Sequence, residues 1–347
     1  MSFVRGCIGV CLIWSLAANA DAQDRVVLRR GGFSGRITAS GTIEDYTGTE
    51  ITLRAVPGDA VRRYPSAEVV AIETQQTEPH ERGLALLGEQ RIEEALREFE
   101  LALKKEPRAW MRREILALLV QNSSRRGDMA AAGSRFLALL KSDPTTRHFR
   151  LIPLTWDGAA LAAGVRGEAK TWLSGKVEAA RLMGASWLLE DAESSMAAKA
   201  ALRELATSTD KRIQALAQMQ AWRRDVALGQ LSELQLTRWQ ERVDALPVEL
   251  KGGPSFLLGR AYAQRHDYEL AAATWLWLPL VDDHDVRLTA RACLEAGIAL
   301  HKVGQRAEAH SLFREVRRRF ADTESAEEAQ TWLAGNGGKD SSSLEGN

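Results

Sequence analysis

Cysteine is almost missing from this chain of 347 residues, which carries only Cys7, Cys11 and Cys293. The first two lie in an apolar leader, so the remainder holds a single thiol and cannot form an internal disulfide. Excess charge is missing as well, since 46 basic residues balance 46 acidic ones. That balance excludes the basic footprint of a nucleic-acid binder and gives no electrostatic pull toward an anionic membrane. There is no apolar run of spanning length. The longest, Cys7 to Leu16 (CIGVCLIWSL), falls well short of the roughly 20 residues a membrane-crossing helix needs.

The usual signatures of chemistry are also missing. The chain has no HExxH, no C-x-x-C, no G-x-S-x-G elbow and no Walker-type phosphate loop, so it lacks the spacings that build zinc, redox, acyl-transfer and nucleotide sites. Gly31-Gly32-Phe33-Ser34-Gly35 is glycine-rich but enters a strand, without the helix N-terminus that binds phosphate. Asp282-Asp283-His284-Asp285 is the one metal-like cluster. It does not have the alternating oxygens and distant glutamate of a calcium loop, and reads as a solvated loop that caps the following helix. No catalytic residue, no metal ligand and no cofactor is assigned, and the chain reads as a non-enzyme.

The first 22 residues read as an address. Arg5 supplies the positive start, the apolar run follows, and Ala17-Ala18-Asn19-Ala20-Asp21-Ala22 provides small residues for cleavage after Ala22, with Ala20 as the alternative. No cysteine follows the run closely, so the lipoprotein signal is absent. The expectation is an exported protein of the periplasm or cell envelope, with no membrane span once the leader is removed. Cys293, in TARACLEAG ahead of Gly297, is expected to be a buried small apolar residue.

Residues 23–75 carry a period of two. GRITASGTIEDYTGTEITLR alternates branched and polar residues, with a turn expected at Asp45-Tyr46-Thr47-Gly48. Ile51 and Leu53 should share one strand face, and Val70 and Ile72 another within a strand at Ala67 to Glu73. Four or five short strands predict a small antiparallel β module, similar in size and strand rhythm to SH3-like and Sm-like modules. It is either a lid on the first helices or a ligand-binding module of its own.

From residue 76 to 335 the period becomes helical. Gly83, Ala95, Phe99 and Ala102 lie at offsets of zero, 12, 16 and 19, and Gly259, Ala271, Trp275 and Leu278 repeat them. So do Gly297, Ala309, Phe313 and Val316, and Val120, Ala132, Phe136 and Leu139 follow with valine in the first place. The physical reading is a helical hairpin in which two small residues let the helices approach and a large apolar side chain fills the groove between them. Hairpins that cannot bury their apolar face alone must stack. Gly259 follows Val120 by 139 residues, room for about three further helix pairs. Residues 336–347 hold only Leu344 as an apolar residue, and are expected to be disordered.

The signature resembles that of the tetratricopeptide repeat, in the form found in exported bacterial proteins. The resemblance implies a mostly α, TPR-like αα-solenoid that follows the β module. It also implies a scaffold that holds proteins of the cell envelope in a groove lined by first helices. At the matching positions stand Phe256, Arg260, Arg291, Leu294, Ile298 and His301, with His80, Leu84 and Leu87 in the first repeat. Its expected function is a non-catalytic protein-interaction scaffold. The alternative is a cell-wall polymer-binding subunit or cryptic cell-wall enzyme whose tryptophans contact glycan. Most of the ten tryptophans are expected to pack between helices. The sequence leaves the partner and the oligomeric state open.

Overall fold

The computed structural model describes residues 23–29, 35–56, 58–158, 163–229 and 231–335. The expected leader, the expected disordered tail and most of the Gly31–Gly35 stretch lie outside the described residues. The chain divides into two compact units at Gln76/Thr77.

The first unit is a five-stranded antiparallel sheet of β1 (Asp24–Arg29), β2 (Arg36–Tyr46), β3 (Glu50–Ala55), β4 (Val61–Pro65) and β5 (Val69–Glu73). Its strand order is β4-β3-β2-β1-β5, a meander whose last strand returns to pair with the first. Alternation sets the buried face: Val26 and Leu28 from β1, Ile43 from β2, and Ile51 and Leu53 from β3 form the core. The buried Asp24 carboxylate accepts the Ile43 backbone N–H at 2.8 Å, which ties β1 to the middle of β2. Gly41 is required by proximity, since a Cβ there would lie 2.1 Å from the Arg54 carbonyl oxygen on β3.

Two sequence expectations shift here. β2 continues through Asp45 and Tyr46, and the turn falls at Thr47–Thr49, closed by the Thr47 N–H to the Glu50 carbonyl at 2.9 Å. The expected strand at Ala67 begins two residues later, because Ser66–Glu68 is a 3-10 turn. In β5, Val70 is exposed and Ile72 half-buried.

The second unit contains 14 helices among the described residues. Its first hairpins are α1 (Glu78–Gly88) with α2 (Ile92–Lys105) and α3 (Ala109–Arg125) with α4 (Met129–Ser142). At its far end α10 (Gly252–Gln264) packs on α11 (Tyr268–Val281), α11 on α12 (Val286–Lys302), and α12 on α13 (Arg306–Arg319). The last helix, α14 (Glu324–Leu333), packs on both α13 and α12. In three hairpins the repeated spacing has the same physical basis. A Cβ on Gly83, Gly259 or Gly297 would come within 2.6 Å of Phe99, Trp275 or Phe313 respectively. Each aromatic ring therefore occupies the space that a side chain on the first helix would need. Ala95, Ala132, Ala271 and Ala309 are all fully buried at the crossings.

The middle is less regular. It holds the five helices α5 (Ala163–Leu173), α6 (Glu178–Leu188), α7 (Ser195–Leu205), α8 (Lys211–Leu228) and α9 (Glu233–Asp244), rather than three pairs. α5 pairs with α6, but α8 packs directly against α6 and α10 while α9 packs on α10. From Asp143 to Gly158 the chain is not helical, apart from a 3-10 turn at Phe149–Leu151. It is nonetheless buried: Phe149, Ile152, Leu154 and Trp156 belong to the main core.

Irregular backbone in a core needs hydrogen-bond partners, and the helices provide them. The Thr155 N–H donates to Ser186 Oγ at 3.0 Å, the Gln220 amide donates to the Thr155 carbonyl at 3.1 Å, and Trp187 Nε1 donates to the Pro153 carbonyl at 2.7 Å. Gly253 of α10 makes room for Trp156, whose indole lies 2.0 Å from where a Cβ would stand. Early and late helices of this unit also meet. Arg125 Nε pairs with Asp322 at 3.0 Å, and Gln121 donates to the His284 carbonyl at 3.2 Å. No helix among the described residues is long and apolar enough to cross a membrane.

Candidate functional site

The buried segment ends at Asp157 and Gly158, where a cleft of about 300 Å³ opens. α10 contributes Phe256 and Arg260, α12 contributes Arg287, Arg291 and Glu295, and the start of α14 contributes Thr323, Glu324 and Ser325. The helical repeat explains this convergence. Phe256 and Arg260 are one turn apart, as are Arg287, Arg291 and Glu295, so each set projects from one face of its helix.

Each arginine of the cleft is held. Arg291 donates to Glu295 at 2.6 Å and to Glu328 of α14 at 2.8 Å. Burial alone would lower the Arg291 pKa, but the Glu295 and Glu328 carboxylates overcome it and raise the pKa above its ordinary value. Arg260 donates to the Asp157 carbonyl at 3.2 Å, which ties α10 to the end of the buried segment. Arg287 approaches Glu324 at 3.5 Å. Three arginines thus share this space with Asp157, Glu295 and Glu324, so the lining is formally neutral. Such a surface fixes orientation and register through paired contacts rather than attracting a ligand by net field.

Behind the cleft lies a second polar layer. A Cβ on Gly158, whose φ is +80°, would meet the Glu190 carboxylate at 3.1 Å. Glu190 accepts from the buried Arg223 at 2.6 Å. Arg223 also donates to the Ser186 carbonyl at 2.7 Å and to Thr155 Oγ1 at 3.1 Å. Burial lowers the Arg223 pKa, with Glu190 opposing the shift. This arginine holds the irregular segment in place, and its place beside Arg224 and Asp225 in α8 gave no sign of that role in the sequence.

The structure separates the six residues expected to line a groove. Arg260 and Arg291 meet in the cleft, with Phe256 in its wall. Phe256 is only 1% exposed and Leu294 is 0% exposed, so neither presents a contact face. Phe256 faces Trp275, with ring centroids 6.4 Å apart, and Leu294 sits in the core of α12–α14. The correction has a simple cause: a first helix in a packed hairpin is touched from several sides, and these two positions point to its neighbours. Ile298 is half-buried against the same core, and His301 makes an edge contact with Trp332 at 5.2 Å, outside the cleft lining. In the first repeat His80 is buried edge-on against Phe99, with centroids 5.9 Å apart. Burial lowers its pKa. Leu84 is exposed and Leu87 half-buried.

The acidic loop also differs from expectation. Asp285 caps α12 by accepting the Leu288 N–H at 3.0 Å, and burial raises its pKa. Asp282, however, is buried rather than solvated and holds His284 Nδ1 at 2.5 Å. The other nitrogen, Nε2, donates to the Arg150 carbonyl at 3.0 Å, so the histidine ties this loop to the irregular segment. No group of three or more His, Cys, Asp or Glu side chains that could hold a metal ion occurs among the described residues. Cys293 is buried, and burial pushes its thiol up to about 11, which keeps it protonated and unreactive.

Trp110, Trp156, Trp187, Trp222, Trp239 and Trp275 are buried, and Trp222 stacks on Trp239 at 4.3 Å. No tryptophan lines the cleft, nor does any histidine, cysteine or lysine. Its acids face arginines, an arrangement suited to holding a polar chain.

No protein-family model matches this chain, and no curated protein matches it either.

Proposed function

We propose that the chain is an exported, non-catalytic scaffold of the tetratricopeptide-repeat type, and that a partner protein docks in the cleft against Arg260, Arg287 and Arg291. The observation that carries this reading is the cleft itself, where two of the arginines expected from the repeat register converge with a third. The shared glycine-to-aromatic contacts of three hairpins support a repeat origin. On this reading the helices form a modified solenoid whose inner side is partly filled by residues 149–157, leaving one open stretch for a partner. The strand order of the first unit supports an SH3-like or Sm-like reading of the β module. Residues 1–22 serve as an export leader, which places the scaffold in the periplasm or cell envelope.

The test is to crosslink the protein in the cells that make it, identify the partner, and compare its affinity for wild type and for Arg260→Ala with Arg291→Ala. The expected result is at least a tenfold loss, about 1.4 kcal/mol, with an unchanged circular dichroism spectrum. Unaltered binding by a folded double variant would remove the cleft from consideration.

A further inference from the structure

His284, in the loop between α11 and α12, has an acceptor at each ring nitrogen. Nδ1 lies 2.5 Å from Asp282 Oδ1, and Nε2 lies 3.0 Å from the Arg150 carbonyl oxygen. A neutral imidazole carries one N–H and can serve only one such partner as donor, whereas the imidazolium serves both. A carbonyl can only accept, so Arg150 claims the proton on Nε2. A second proton must then stand between Nδ1 and Oδ1, because two lone pairs do not face each other at 2.5 Å.

Asp282 leads to the same conclusion from its own side. Its side chain is 4% exposed, and its second oxygen, Oδ2, is buried without a hydrogen-bond partner. The His284 ring is therefore the side chain that holds this carboxylate. A buried carboxylate stays ionised only beside a compensating charge, which the imidazolium provides.

Three parts of the unit join at this residue. The His284 carbonyl accepts from Gln121 of α3 at 3.2 Å. Its ring holds the irregular segment through Arg150. The next residue, Asp285, caps α12, the helix that carries Arg287 and Arg291 into the cleft.

We propose that His284 is a proton-operated latch. As the imidazolium it ties the irregular segment to the start of α12 and to the end of α11, and loss of its second proton opens the latch. Imidazole is the side chain that changes charge near neutral pH. Once that proton leaves, Nδ1 and Oδ1 are two acceptors face to face, and the ring must give up either Asp282 or Arg150. The segment that ends in the cleft wall at Asp157 is then no longer fastened to α12 at this point. The charged groups around the ring come from several elements. Asp283 is paired with Arg319 of α13, Arg287 follows on α12, and Arg150, Glu249 and Asp285 line a small cavity with Asp282 and His284. Of these, Asp282 alone bonds the ring through its side chain. The latch belongs to the protein without its partner, so it can stand or fail independently of the docking proposal.

The experiment is nuclear magnetic resonance on the full chain with isotope-labelled histidine, titrated from about pH 5 to 9. The His284 signal is assigned by its loss in His284→Gln. It should show protons on both ring nitrogens at the acid end and on one at the alkaline end. Asp282→Asn should move that step to lower pH. Urea midpoints provide a second readout. A group that the fold holds protonated stabilises it at low pH and loses that contribution as pH rises. Wild type should therefore exceed His284→Gln at the acid end, with the gap shrinking by at least half across the step. A gap of constant size would reveal an ordinary structural hydrogen bond and overturn the proposal. So would a ring that carries one proton throughout, a ring that keeps both throughout, or a step unmoved in Asp282→Asn.

Discussion

Gly259→Ala tests the repeat at its tightest point. The added methyl would stand 2.6 Å from Trp275 Nε1, 2.7 Å from Cδ1 and 2.8 Å from Cε2. Carbon contacts are comfortable at about 3.5–4.0 Å, so the indole would have to retreat by about 1 Å. It has little freedom to do so, being buried with its N–H donated to the Phe256 carbonyl at 3.0 Å. Overpacking of this kind costs about 1–3 kcal/mol. Alanine recovers up to about 1 kcal/mol through better helix propensity than glycine. The net expectation is a loss of up to about 2 kcal/mol.

Gly167→Ala, on the exposed face of α5 with no neighbouring atom within 4 Å, is the control and should gain up to about 1 kcal/mol. Gly297→Ala should fall between them, because Phe313 is crowded at the same 2.6 Å but has no hydrogen bond to pin its ring. The assay is urea unfolding followed by far-ultraviolet circular dichroism, with the order of midpoints as the readout. In thermal melts each kcal/mol should appear as about 2–4 °C. A Gly259→Ala variant at least as stable as Gly167→Ala would refute the claim that the glycine is kept for the indole.

Ala309→Leu should cost about 1–3 kcal/mol by overpacking the α12–α13 crossing, and an unchanged melting temperature would show that the crossing lies elsewhere. Glu106, fully buried between α2 and α3, accepts from the Arg108 backbone N–H at 3.0 Å and from its guanidinium at 2.7 Å. Burial opposes ionisation there, but the Arg108 hydrogen bonds outweigh it and hold the carboxyl below its ordinary value of 4.5. A depressed carboxyl stabilises the fold above its unfolded pKa and loses that contribution as pH falls through the folded one. Glu106→Gln should therefore cost about 1–3 kcal/mol at neutral pH and flatten the decline in urea midpoint below about pH 5; an acid limb identical to wild type would contradict this. Intact-mass measurement on the envelope fraction should find a chain that starts at Gln23, and full-length chain in the cytosol would count against export.

The helices were legible where a local rule made them. The glycine-to-aromatic spacing reads directly as a contact, because both partners lie in one hairpin and the offset fixes their height on facing helices. The alternation of Ile51 and Leu53 reads as a buried strand face for a similar reason. β4 escaped notice because Val-Arg-Arg-Tyr-Pro, largely exposed at the sheet edge, has no apolar alternation to reveal it. The site was harder to read. Register placed Arg260 and Arg291 on first helices, but the face each residue presents depends on three-dimensional neighbours. Phe256 and Leu294 therefore went to the core, and Arg287, one turn before Arg291, entered the cleft unannounced.

The segment from Phe149 to Asp157 explains much of what local rules missed. It has no helical period, and its burial comes from pairings with residues more than 30 positions away, such as Ser186 and Arg223. Nothing local in Leu-Ile-Pro-Leu-Thr-Trp announces those partners. Yet the segment decides where a ligand can sit. It fills the side of the helices where Trp156 meets Gly253, and its backbone polar groups are satisfied by α6 and α8. The cleft begins where it leaves the core at Asp157 and Gly158. The Asp157 carbonyl is taken by Arg260, and the Glu190–Arg223 pair stands behind Gly158. Loosening the segment would therefore move the cleft wall and its arginine together. The opening of the cleft depends on the packing of these nine residues as much as on the repeats that surround them.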